Sequence, residues 1–151
     1  MILAIDIGNT NIVIGCCDDE KIYFIERLST NYPKTELEYA ISFKNVLELY
    51  GIDASQIEGG IISSVVPPIT NIVRASVEKV LGKTVKIVGP GVKTGLNILM
   101  DNPAQVGSDR IVNAVAAINE YPAPLIIIDM GTATTFCVID EKKNYIGGMI
   151  L

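Results

Sequence analysis

Histidine is missing from all 151 residues. Its absence excludes Ser-His-Asp and Cys-His catalysis and every imidazole metal site, so a general base must be a carboxylate or a lysine. Cysteine is scarce and odd in number, at Cys16, Cys17 and Cys137, with no Cys-x-x-Cys spacing. Adjacent strand residues face opposite ways, so Cys16 and Cys17 read as small apolar packing residues. Basic clusters are lacking as well. Twelve Lys and Arg stand against 17 Asp and Glu, a net charge of −5, and no positive stripe supplies the footprint of a nucleic-acid binder. A small anionic ligand must therefore be held by local backbone N–H groups and a few side chains. The N-terminus has no basic flank and carries Asp6 inside its apolar run, unlike a signal peptide. No apolar run nears the ~20 residues that span a bilayer. These absences point to a soluble cytoplasmic protein with no nucleic-acid or membrane partner.

What is present is a chain that is 49% apolar, long enough for one domain or for one domain and the start of another. The stretches LAIDIG, NIVIGCC and KIYFIERLS read as three short strands joined by turns at GNTN and DDEK. TELEYAISFKNVLELYG fits a helix with Thr35 as N-cap and Gly51 as its stop, its apolar face formed by Leu37, Ile41, Val46 and Leu49. EGGIISSVV reads as a buried strand cut off by Pro67 and Pro68. ITNIVRASVEKVLGK is a second helix ending at Gly82, and TVKIVG a further short strand. GPGVKTGLNILMDNP is loop-like, and VGSDRIVNAVAAINEY a third helix stopped by Pro122 and Pro124. PLIIIDMG, TTFCVIDEKK and NYIGGMIL close the chain as strands. A three-strand meander followed by alternating helices and strands predicts an α/β fold with a mixed sheet and flanking helices. A chain ending on the apolar IGGMIL would leave a sheet face bare, which points to a truncated second domain.

One turn occurs twice. Asp6-Ile7-Gly8-Asn9-Thr10 and Asp129-Met130-Gly131-Thr132-Ala133 each follow an apolar run with acid, apolar residue, glycine and small polar residue. The two aspartates are 123 positions apart (129 less 6), too far for a solenoid repeat. Glycine lets the backbone approach a ligand closely, and successive N–H groups beside small polar side chains form a concavity for anions. The carboxylate repels phosphate but holds a cation, or its waters, that bridges to phosphate oxygens. The pair therefore suits two loops clamping one polyphosphate; the competing reading is two ordinary Asp-Gly hairpins. Gly82-Lys83-Thr84 resembles the end of a phosphate-binding P-loop, but Val77 stands where its first glycine belongs. GPGVKTG likewise lacks the glycine order of a dinucleotide fingerprint.

Gly107-Ser108-Asp109-Arg110 opens the third helix. Ser108 or Asp109 capping that helix is one reading, with the dipole favouring Asp109 by roughly 0.3–1 kcal/mol. The other makes Asp109 the base for a substrate hydroxyl, with Arg110 binding an anionic group of the same substrate. Phosphoryl transfer needs mainly positioning and charge stabilisation, so one Asp suffices.

DIGNTN at 6–11, GSDR at 107–110, DMGTATT at 129–135 and GGMI at 147–150, in this order, resemble type III pantothenate kinase. KTGLNI and RIVNAVAA between them agree with it. The resemblance covers the whole chain but about three-fifths of a usual family member. It implies an actin/Hsp70-type kinase fold of two ribonuclease-H-like domains, the first over 1–122 and the second begun over 123–151. It also implies phosphorylation of pantothenate by ATP, the first step of coenzyme A synthesis, in a homodimer. The residues Asp6, Ile7, Gly8, Asn9, Thr10, Asn11, Ile12 and Val13 would form the first ATP phosphate loop, with Asp6 near Mg²⁺ through water. Asp109 would be the base, and Gly107, Ser108, Arg110 and Met100 would contact pantothenate. Asp129 would hold a monovalent cation, K⁺ or NH₄⁺, and Thr132 an ATP phosphate. Ser108 replaces a usual alanine, and Met100 a tyrosine found in many members; Met fills apolar volume but donates no hydrogen bond. A nucleotide-binding regulatory protein of the same fold is the alternative, and a phosphatase a third reading that Arg110 beside Asp109 disfavours.

Overall fold

The computed structural model describes residues 1–31, 33–89 and 92–151, which form two compact units, Met1–Val88 and Gly89–Leu151. In the first, the strands β1 (Ile2–Ile7), β2 (Asn11–Cys17) and β3 (Ile22–Ser29) form an antiparallel meander. The helix α1 (Glu36–Leu49) follows, then β4 (Gly59–Ser64), the helix α2 (Pro67–Leu81) and β5 (Val85–Ile87). The sheet order is β3-β2-β1-β4-β5, with β4 parallel to both β1 and β5. The parallel crossover from β4 through α2 to β5 has the helical connection such pairs need.

Alternation fixes the register of this sheet. Leu3, Ile5 and Ile7 of β1 pair with Cys16, Ile14 and Ile12 of β2, and Ile5 also meets Ile62 of β4. All seven are buried in one cluster with Tyr39, Phe43 and Val46 of α1 and Ile69, Val73 and Val77 of α2. Burying each aliphatic side chain contributes roughly 1.5–3 kcal/mol, and a one-residue slip would reverse every one of them. Cys16 behaves as a packing residue, its thiol pushed up by burial first and then by Cys17. All three cysteines are free thiols.

Thr35 caps α1 as its sequence indicates. Its side chain accepts from the Glu38 N–H, and Glu38 accepts from the Thr35 N–H in return. The buried face of α1 differs from expectation. Leu37, Ile41 and Leu49 are exposed, and Tyr39, Ala40, Phe43, Val46 and Leu47 point inward. Two apolar stripes compete on this helix, and the one with two aromatic rings buries more surface. Pro67 and Pro68 likewise begin α2 instead of merely ending a strand, since the first helical turn needs no N–H donor from them. Gly82 stops α2 in the left-handed conformation.

The second unit contains β6 (Asn97–Ile98), the helix α3 (Ser108–Glu120), β7 (Leu125–Met130), β8 (Thr134–Ile139) and β9 (Asn144–Ile150). Its sheet order is β6-β9-β8-β7. β6 lies in the segment read as a loop over 89–103, too short to show periodicity, and pairs in parallel with Asn144 and Tyr145. Positions 90 and 91 of that loop lie outside the described residues. The two compact units meet at Val88/Gly89, and α3 packs on β7 and β8 of the second sheet. Val106, Ala114, Cys137, Ile139 and Tyr145 form its core. The alternate positions Ile126, Ile128 and Met130 of β7 are exposed.

Tyr145 is fully buried and donates through its hydroxyl to Cys137 Sγ at 3.4 Å. Burial, and then this hydrogen bond, push the hydroxyl up to about 12. A raised pKa stabilises the fold while the group is neutral, and that contribution fades as pH climbs through the folded value. Between about pH 10 and about 12, urea midpoints should therefore fall more steeply for the native chain than for Tyr145→Phe. The inward face of α1 gives a second test by urea unfolding. Phe43→Ala should cost about 3–5 kcal/mol, whereas exposed Leu37→Ala should stay within about 0.5 kcal/mol.

Candidate active site

In the first unit the candidate phosphate loop is the reversal from β1 into β2. Gly8 donates its N–H to the Asn11 carbonyl at 2.9 Å, and a Cβ on Gly8 would sit 3.1 Å from that same oxygen. A side chain there would open the turn. Thr30, just beyond β3, holds the other side of the loop. Its N–H donates to the Thr10 carbonyl at 2.9 Å and its hydroxyl to the Gly8 carbonyl at 2.7 Å. Ile7 and Ile12 anchor the loop in the core, so their backbones alone can meet a ligand. Asp6, Asn9, Thr10 and Asn11 are exposed, and Val13 is half-buried. The alternation that buries Ile5 and Ile7 turns Asp6 to the other face, in register with Val13 and Ser63. The loop thus lies at the carboxyl ends of the parallel strands β1 and β4, where open α/β sheets bind ligands. Thr30 and Ser63 were missed by the sequence reading. The Ser63-Ser64 pair closing an apolar strand was the available signal for the latter.

In the second unit, Gly131 donates its N–H to the Ala133 carbonyl at 3.1 Å, and Thr132 is exposed. Asp129, like Asp6, is the next-to-last residue of its strand. The two carboxylates nevertheless differ in setting. Asp6 lies on the sheet face away from α1 and α2, whereas Asp129 faces α3 and is half-buried there. Asn113 Nδ2 donates to Asp129 Oδ2 at 2.8 Å. Asn113 was also missed, although it stands four residues after Asp109 and so on the same helix face. Asn113, Ala116, Ala117, Asp129 and Met130 help line a groove of about 350 Å³ between α3 and β7.

Gly107 is the N-cap of α3, at φ −61° and ψ 150°, so neither Ser108 nor Asp109 takes the capping position. Asp109 lies in the first turn, where the positive end of the helix dipole favours a carboxylate. Its Oδ1 lies 2.5 Å from where a Cβ of Gly107 would be, so only glycine leaves room for the carboxylate as it stands. Arg110 is half-buried and donates from Nη2 to the Gln105 carbonyl at 3.3 Å, closing a short 3-10 turn at Pro103–Gln105. The charges of Arg110 and Asp109 act in opposite directions on the Tyr145 hydroxyl, after burial and the Cys137 hydrogen bond. Ser108, the first residue of the helix, and Met100 are half-buried, and Met100 packs against the second core. Among the described residues no three His, Cys, Asp or Glu side chains gather as a metal cage. No described helix is long and apolar enough to cross a membrane.

Gly107→Ala should displace the Asp109 carboxylate without unfolding α3. The expected readout is an unchanged far-ultraviolet spectrum together with a shifted Asp109 side-chain resonance; an unmoved resonance would contradict the steric account.

The family profile described as type III pantothenate kinase matches residues 2–151. A curated type III pantothenate kinase of Halalkalibacterium halodurans is 51% identical over 150 residues, covering 99% of this chain and 59% of the relative. One from a Geobacillus strain is 52% identical, with 99% and 58% covered. The chain thus spans about three-fifths of the length of these relatives. Among solved structures, a putative N-acetylglucosamine kinase from Porphyromonas gingivalis superposes with a TM-score of 0.57 at 16% identity, covering 99% of this chain and 47% of that one. An ROK hexokinase from Thermus thermophilus gives 0.52 at 13% identity, covering 95% and 47%. These structures share the actin/Hsp70-type fold that the family resemblance implies. Matched along nearly its whole length, the chain belongs to the type III pantothenate kinase family.

Proposed function

We propose that the complete protein transfers the γ-phosphoryl group of ATP to a hydroxyl of pantothenate, giving ADP and 4′-phosphopantothenate in the first step of coenzyme A synthesis. The observation that carries this reading is the Asp109 carboxylate, held over Gly107 at the positive end of α3 in a chain without histidine. The pantothenate oxygen attacks the γ-phosphorus, the bond from that phosphorus to the ADP oxygen breaks, and the hydroxyl proton passes to Asp109. Arg110, with Gly107 and Ser108, binds the substrate at the helix start, and its guanidinium suits the pantothenate carboxylate. Met100 supplies apolar contact beside them. The backbone of Asp6–Val13 cradles ATP phosphates, and Thr132 adds a hydroxyl to a phosphate oxygen.

The donors present fit loosely held ions and not a closed cage. Asp6 is exposed, and among the described residues no three His, Cys, Asp or Glu side chains gather around it, which suits Mg²⁺ held through water and mainly by phosphate oxygens. Asp129, with one oxygen occupied by Asn113, offers its other oxygen to a singly charged ion such as K⁺ or NH₄⁺. When bound, such ions neutralise charge that builds on the phosphoryl oxygens. The protein is proposed to act as a homodimer in the cytoplasm. Its acidic charge and lack of a basic face give no support to the alternative of a nucleic-acid-binding regulator.

In the complete protein, Asp109→Asn should lower kcat for ADP formation about 10²–10⁴-fold with the ATP KM little changed. Pantothenate-dependent turnover at the native rate in that variant would remove Asp109 from the chemistry.

A further inference from the structure

The helix α3 has two working sides. Ile111, Ala114 and Ile118 pack on the second core. Asp109, Asn113, Ala116 and Glu120 recur at helical spacing along another side. In the middle of that stripe the Asn113–Asp129 hydrogen bond joins residues 16 apart in sequence and is part-buried. Asparagine is a poorer helix former than the alanines around it, so local propensity does not account for its place there. The chemistry of the partner fixes which end of the amide points at Asp129: a carboxylate accepts, so the NH₂ donates.

The type of donor matters. A lysine or arginine at this place would pair with Asp129 and put its own positive charge where a cation would sit. A carboxylate would repel it. A neutral amide holds one oxygen of Asp129 and leaves its negative charge in force. Among the described residues no lysine or arginine forms an ion pair with Asp129.

We propose that Asn113 is a positioning residue, one that orients the Asp129 carboxylate for a monovalent cation and ties it to the helix turn carrying Asp109. The inference rests on the reading of Asp129 as the cation-holding group. It adds that the cation response depends on a residue four positions after the base, on the same helix. Removing the amide frees Asp129 to rotate while the helix and its core face stay intact.

The test compares the complete native protein with Asn113→Ala and Asp129→Asn. Melting temperature is measured in KCl against tetramethylammonium chloride at equal ionic strength, and ADP formation is followed as a function of KCl. The native protein should show a K⁺-specific rise in melting temperature that Asp129→Asn abolishes. Asn113→Ala should keep its helical spectrum and need about 10–100-fold more K⁺ for the same response, as loss of a partner to a metal ligand typically costs. A native K⁺ response in Asn113→Ala, or no K⁺-specific shift in the native protein, would overturn the proposal. A K⁺ shift that follows this pattern in a protein forming no ADP from ATP and pantothenate would uphold it and sink the kinase reading alone.

Discussion

An acid one residue before a strand reverses direction is the constraint on which this structure depends. Leu3, Ile5 and Ile7 must face the core, and strict alternation then sends Asp6 to the opposite face. The reversal must follow at once, because Gly8 closes on Asn11 and Thr30 holds two carbonyls of the turn. Apolar burial, which has no direction of its own, becomes directional through the pleat and aims one carboxylate at the carboxyl end of the parallel strands. Small side chains at 9–11 keep that end open.

The second unit uses the same sequence pattern to a different local end. Asp129 also precedes the last residue of its strand, yet its face is the one α3 covers, so it meets an amide from that helix. The difference lies in which sheet face carries the helix, and a four- or five-residue motif holds no information about that. What the motif does specify is the tight glycine turn after the acid. The two turns still differ in length: Gly8 donates to the carbonyl of Asn11, three residues on, and Gly131 to that of Ala133, two residues on.

Legibility followed the strength of the local signal. The order of strands and helices among the described residues was readable wherever an alternating or helical pattern ran for six residues or more. β6 escaped because two residues carry no period, and it exists only through its pairing with Asn144 and Tyr145. On α1, leucine and isoleucine at 37, 41 and 49 gave a plausible stripe, but the larger area of Tyr39 and Phe43 decided the packing. Pro67 and Pro68 were read as an end because proline stops strands, although it starts helices equally well. Of the candidate site, the acids and glycines stood out as unusual within apolar runs. Thr30, Ser63 and Asn113 are ordinary residues whose partners lie far along the chain, and only the folded register reveals them.

The start of α3 joins these themes. Glycine at 107 leaves open the space that the Asp109 carboxylate occupies, and Arg110 is tethered to the turn before it, with no ion pair between the two among the described residues. The most direct measurement is a crystal structure of the complete protein with pantothenate and a non-hydrolysable ATP analogue. The account requires an Asp109 carboxylate oxygen within about 2.6–3.2 Å of the pantothenate hydroxyl that faces the γ-phosphate. A pantothenate hydroxyl bound out of reach of Asp109, with another group beside it as proton acceptor, would contradict it.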